Sequence, residues 1–289
     1  MFEGWDEYHL INEELKRLSG VLPNTELGEV INYALSSPGK RMRPLILIFS
    51  SETFGGDANQ SINAALAVEL VHAASLVHDD ILDEGIERRG APSTAHKYGA
   101  EAALLCGDYL ISKSIGLISG YSPHVIEVFS QACMDMSEGE MLDLTSRSSP
   151  SDYYACINKK TASIQAASAK IGCMIGGAGD EDVGLFKSYG MHLGLAYQIA
   201  DDLTEFLGID EGKLSQKSSV TLPVIYRKNH SLEDTLKLCA EVIRDHCSSA
   251  KKALSAAGGD SVIKARLGCI VDKINVEWED ECRLLKNLC

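Results

Sequence analysis

The chain has 289 residues, 45% of them hydrophobic, and a formal net charge of −14. That length can bury a large core, and that charge excludes nucleic acid and anionic membrane surfaces as partners held by bulk electrostatics. An anionic substrate would need a locally basic pocket instead.

Apolar residues recur at helical spacing and β-branched runs are few, so the periodicity predicts an all-α fold. In chain order, helices are expected over residues 6–18, 25–35, 43–53, 60–82, 100–118, 124–144, 151–172, 181–207, 221–227, 232–257 and 262–288. Ser37-Pro38-Gly39 stops one helix, Pro44 suits the first turn of the next, and Gly208 can cap the helix over 181–207. Seven prolines and no linker-like or repeated stretch predict one domain over 1–289. The N-terminus lacks the basic flank and apolar core of a signal peptide. The longest apolar run, 64–77, is interrupted by Glu69 and His72 and falls short of the ~20 residues of a membrane span. Nine cysteines without a Cys-x-x-Cys pair argue against a zinc ribbon or a secreted disulfide scaffold; they suit small buried hydrophobes in a reducing cytoplasm.

Two acidic clusters stand out, Asp79-Asp80-Ile81-Leu82-Asp83 and Asp201-Asp202-Leu203-Thr204-Glu205, each directly after an apolar run. On a helix Asp79 and Asp83 share a face, with Cβ atoms about 5 to 6 Å apart, and Asp80 is turned about 100° away. Asp201 and Glu205 repeat the spacing, with Asp202 in the place of Asp80. Like charges beside an apolar core need compensation, and cations supply it. Magnesium suits such a site, because it takes oxygen ligands from one or two carboxylates and completes its shell with water and substrate phosphates. Both clusters fall at C-terminal helix ends, where the helix dipole favours cations.

Diphosphate charge also needs direct cationic donors. Three short groups offer them: Lys40-Arg41-Met42-Arg43, Arg88-Arg89-Gly90 and Lys159-Lys160-Thr161. Any one of them alone reads equally as a solvated face, and Arg88 or Arg89 as an ion-pair partner of the first cluster.

Together these residues resemble the all-trans polyprenyl diphosphate synthase family of head-to-tail prenyltransferases. The resemblance rests on Gly39-Lys40-Arg41-Met42-Arg43-Pro44, the run from Glu69 to Asp83, Arg88-Arg89-Gly90, Gly107-Asp108-Tyr109-Leu110, Lys160-Thr161 and Gln198-Ile199-Ala200-Asp201-Asp202. It implies an all-α isoprenoid-synthase bundle around a central active-site cavity, and condensation of isopentenyl diphosphate with an allylic diphosphate. It further implies that Asp79, Asp83 and Asp201 ligate Mg2+, three ions to a site once substrate is bound, with Asp80, Asp202 and Glu205 in support. Arg88, Lys160 and Gln198 would contact the allylic diphosphate. Lys40, Arg43, His72 and Arg89 would hold isopentenyl diphosphate, and Thr161 would lie beside the reacting centre. A homodimer is implied as well.

The chain departs from the family in ending the second cluster with Glu205 instead of aspartate. The loop over 212–220 is shorter than usual and lacks the aspartate-containing segment between its lysines; Lys213 is expected to keep a diphosphate role. The C-terminus, 277–289, lacks the basic tail of many relatives.

In the family, side chains one turn or more before the first cluster line the pocket into which the product grows. Here Ser75, Ala74 and Val71 are small, which predicts a geranylgeranyl or longer product, its floor set from a facing helix by Phe129, Met134 or Met136. The shorter alternative is a farnesyl product. A terpene cyclase would carry a different second motif, and a non-catalytic subunit of a hetero-oligomeric synthase would lose the first cluster. A di-iron bundle would need the pair Glu69-Leu70-Val71-His72 twice, and it occurs once.

Overall fold

The computed structural model describes residues 2–22, 24–145, 149–208, 213–214 and 220–286, with the side chains of 213, 214 and 275–286 left aside. The helices are α1 (Asp6–Gly20), α2 (Glu26–Ser36), α3 (Met42–Thr53), α4 (Ala58–Leu82), α5 (Thr94–Tyr98), α6 (Ala100–Ile118), α7 (Pro123–Leu144), α8 (Pro150–Ile157), α9 (Ser163–Gly176), α10 (Asp180–Phe206), α11 (Leu222–Arg227), α12 (Leu232–Ala256) and α13 (Ser261–Lys286). A π turn, Asn158–Ala162, joins α8 to α9. The all-α expectation therefore holds, and each expected helix is present.

Three two-residue strands were not expected: β1 (Glu87–Arg88), β2 (Ala91–Pro92) and β3 (Lys213–Leu214). They form an antiparallel sheet in the order β2-β1-β3. The expected loop residues 212 and 215–219, with Lys217, and the end of the last helix at Leu288 lie outside the described residues.

The chain divides into two compact units. The first comprises residues 1–48, 58–126 and 211–218 and is organised on α4, against which α6 packs along much of its length. All eight residues from Ala64 to Val71 are buried, so α4 is covered around its whole circumference. By length and composition α4 could cross a membrane, but most of its apolar window is buried inside the protein. Close packing on α6 needs a glycine: a Cβ at Gly107 would lie 2.0 Å from His78 Nε2.

The second unit, residues 49–57, 127–210 and 219–289, is built on α10, which packs against α9, the π turn and α12. Serines begin two of its helices as expected from capping chemistry. Ser149 and Asp152 form a capping box at α8, and Ser231 accepts from the Asp234 amide at α12. Gly208 follows α10 with φ +67 and donates to the Glu205 carbonyl at 3.0 Å, the left-handed stop expected of it. Among the described residues Cys106, Cys133, Cys156, Cys173, Cys239, Cys247 and Cys269 form no disulfide, and five of them are buried.

Candidate active site

The first acid cluster ends α4. The Asp83 amide donates to the Asp79 carbonyl at 2.8 Å, so the helical turn runs on through Asp83 and stacks the two carboxylates, both half-buried, on one face. Asp80 is turned inward and only 3% exposed. There Arg88 of β1 takes it in a forked grip, Nε to both carboxylate oxygens at 3.1 and 2.9 Å and Nη2 to Oδ1 at 2.8 Å. Gly85 makes room for this pair, since a Cβ there would come within 2.7 Å of Asp80 Oδ1.

The basic loop after α2 lies in the same unit. Lys40 is exposed. Arg41 has φ +51 and pairs with the buried Glu69 at 2.6 Å, so Glu69 serves an arginine rather than a metal. Arg43 Nη1 lies 3.1 Å from His72 Nε2. Burial, then Arg43, Arg89, Arg88 and Arg41, hold the His72 pKa well below its ordinary value. The imidazole is therefore neutral, and Nε2 accepts the hydrogen of Arg43. A pocket of about 190 Å³ is lined by Pro38, Arg41, His72, Asp80, Arg88 and Arg89 among others. The sheet adds Lys213, whose backbone pairs with that of Arg88.

In the second unit the π turn presents Lys159, Lys160 and Thr161. Two glycines allow it: a Cβ at Gly139 of α7 would lie 2.2 Å from the Lys160 amide nitrogen, and one at Gly194 of α10 would lie 2.6 Å from Ala162 Cα. Such turns occur often at functional sites. Lys160 is held by Glu140 at 2.6 Å and Asp143 at 2.7 Å. Lys159 pairs with Glu138.

A chain of hydrogen bonds then leads to the second acid cluster. Thr161 Oγ1 donates to Gln198 Oε1 at 2.7 Å, Gln198 Nε2 donates to Asp202 Oδ1 at 2.8 Å, and Tyr153 Oη donates to Asp202 Oδ2 at 2.5 Å. Burial pushes the Asp202 pKa up to about 7. Asp202 is thus the inward acid of its cluster, as Asp80 is of the first, while Asp201 and Glu205 are exposed on the outer side of α10.

Of the expected product-pocket residues, Val71 and Ala74 are buried and Ser75 is half-buried, its hydroxyl bonded back to the His72 carbonyl at 2.9 Å. Phe129 and Met136 are buried on α7, whereas Met134 is 51% exposed and lies on another face of that helix.

The donor set suits magnesium. Each cluster offers hard carboxylate oxygens at i and i+4, the donor type magnesium takes together with water and phosphate.

Comparison with known proteins decides the family. The polyprenyl synthetase family model matches residues 24–257. The chain belongs to the polyprenyl synthetase family. Its relatives include a geranylfarnesyl diphosphate synthase of Methanosarcina mazei, 47% identical over 87% of this chain and 86% of that protein. A geranylgeranyl diphosphate synthase of Sulfolobus acidocaldarius is 34% identical over 86% of this chain and 80% of that one. The crystal structure of a geranyltranstransferase from Methanosarcina mazei superposes with TM-score 0.84 at 44% identity, covering 96% of this chain and 99% of that chain. Like other polyprenyl synthetases, the protein is a transferase of prenyl groups with the helical isoprenoid-synthase fold.

In this synthetase, sequence reasoning missed the supporting residues Tyr153, Glu140, Asp143 and Gly139. It set the Glu69-x-x-His72 pair aside as a di-iron site, but did not foresee that Glu69 is the partner of Arg41, 28 residues earlier. The signals for Gly139 and Gly194 were single glycines inside helical patterns, which often mark close backbone approach.

Proposed function

We propose that the protein joins isopentenyl diphosphate to an allylic diphosphate (dimethylallyl, geranyl or farnesyl) and releases a geranylgeranyl or longer polyprenyl diphosphate. The observation that carries this reading is the common plan of the two acid clusters. Each has one inward aspartate held by protein donors, Asp80 by Arg88 and Asp202 by Tyr153 and Gln198, beside an i, i+4 carboxylate pair on the outer side.

In this reading Asp79, Asp83 and Asp201 hold Mg2+, with Glu205 in outer support. When bound, Mg2+ would supply positive charge that stabilises the leaving diphosphate. Arg88 keeps Nη1 for the allylic diphosphate, because Nε and Nη2 are given to Asp80. Lys160, Gln198 and Lys213 serve the same diphosphate. Lys40, Arg43, His72 and Arg89 hold isopentenyl diphosphate, whose double bond attacks the allylic carbocation next to Thr161. The apolar side of α4 keeps water from that cation. The final proton leaves to the departed diphosphate, so no protein base is required.

The family match runs through both units, which supports one catalytic domain over 1–289. Relatives' names divide over product length; the small Val71, Ala74 and Ser75 favour the longer product. A homodimer is supported by α6, which exposes the large apolar side chains Leu104, Leu105, Ile111 and Ile115 within three turns. Light scattering should give twice the chain mass, and a monomer would contradict it. A cytoplasmic location goes with this reading, because nine cysteines without a Cys-x-x-Cys pair suit a reducing compartment.

The test is to incubate the purified chain with isopentenyl diphosphate and each allylic primer, with and without magnesium, and to measure product masses. Elongation only with magnesium is expected. No elongation with any primer would favour a non-catalytic subunit.

A further inference from the structure

Helix α1 lies before the residues that match the family, yet its polar face is bonded to the loop assigned to isopentenyl diphosphate. Tyr8 Oη donates to the Gly39 carbonyl at 3.1 Å. One turn later, Asn12 Oδ1 accepts from Arg41 Nε at 3.1 Å. Asn12 Nδ2 donates to the Tyr8 carbonyl at 2.8 Å, which turns Oδ1 toward the arginine.

This loop requires holding. Arg41 sits at φ +51, where its Cβ crowds the following carbonyl, and Arg89 sits at φ +55 while donating to the Pro38 carbonyl. Gly39 lies under both guanidiniums: a Cβ there would be 3.1 Å from Arg41 Nη1 and 3.2 Å from Arg89 Nη1. Arg41 is further anchored by Glu69 at 2.6 Å and by the Ser37 carbonyl at 3.3 Å. Docking of α1 itself is served by Ile11 and Leu15, both buried. The bonds of Tyr8 and Asn12 go instead to one carbonyl and one guanidinium in the turn that presents Lys40 and Arg43.

We infer that Tyr8 and Asn12 are positioning residues for isopentenyl diphosphate, holding the Gly39-Lys40-Arg41 turn in its binding shape. The inference rests on the function proposed above. Its test compares wild type with Tyr8→Phe, Asn12→Ala and the double variant. Calorimetric binding of isopentenyl diphosphate, KM for each substrate and the melting temperature are measured. Loss of one or two such bonds should weaken isopentenyl diphosphate binding about tenfold in Asn12→Ala and more in the double variant. KM for the allylic substrate and the melting temperature should stay near wild type. Unchanged binding in the variants, or both KM values and melting temperature moving together, would overturn the inference alone. Failure of the wild type to bind isopentenyl diphosphate would overturn the underlying functional reading.

Discussion

Arg88 holds Asp80 through two edges of contact, Nε to both carboxylate oxygens and Nη2 to Oδ1, and the pair is nearly buried. The three aspartates of the first cluster therefore do different work: Asp80 fixes β1 to the end of α4, and Asp79 and Asp83 face outward.

Stability and activity should separate along that division. Asp80→Ala leaves Arg88 buried without its partner and should lower unfolding free energy by about 3 kcal/mol. Asp79→Ala should cost no more than about 1 kcal/mol yet lower the elongation rate about 10²-fold. Denaturant unfolding and steady-state rates measure both, and equal stability losses would contradict the division.

Asp202 gives a pH-dependent counterpart. Its folded pKa, about 7, is raised above the ordinary carboxylate value, so the folded state binds the proton more tightly than the unfolded chain. This contribution to stability is present below the unfolded pKa and is lost as pH rises through about 7. Tyr153→Phe removes a donor to the buried carboxylate and should cost about 1 to 3 kcal/mol at pH 8, where the group is ionised, and less at pH 5. An equal cost at both pH values would show that Tyr153 does not sense the charge.

The pair His192 and His246, joined Nδ1 to Nδ1 at 3.0 Å between α10 and α12, has the opposite sign. Burial, then His192, lowers the His246 pKa to about 4, so the unfolded chain takes up the proton first. Stability present above pH 6.5 should be lost as pH falls from there toward 4. Melting temperatures across that window should drop in wild type and less steeply in His246→Phe; identical slopes would contradict the assignment.

The long helices were legible because apolar spacing repeats over many turns, and so were the acid pairs, since i and i+4 fix a shared face. Gly208 and Ser37-Pro38-Gly39 announced helix ends through backbone chemistry alone. The π turn at Asn158–Ala162 was not legible, because one widened turn hardly changes residue spacing and the glycines that permit it, Gly139 and Gly194, are distant in sequence. Strands of two residues carry no alternation, and α5 is too short for a period. Partner choice was hidden as well: nothing in the spacing of Glu69 and His72 pointed to Arg41, which reaches Glu69 from the loop before α3.

On the proposed reading, the wall of α4 sets product length. Ala74 is 1% exposed, so Ala74→Phe adds bulk where space is closed, at a stability cost of about 1 to 3 kcal/mol. The main product should become shorter, as read by product mass. An unchanged distribution would show that Ala74 does not face the growing chain.

The most direct measurement of the central claim is the elongation rate with isopentenyl and farnesyl diphosphates and magnesium in wild type, Asp79→Ala and Asp201→Ala. The account predicts a product longer than farnesyl from the wild type and a loss of at least about 10²-fold in each variant. A wild type that does not extend farnesyl diphosphate, or a variant that does so at the wild-type rate, would contradict it.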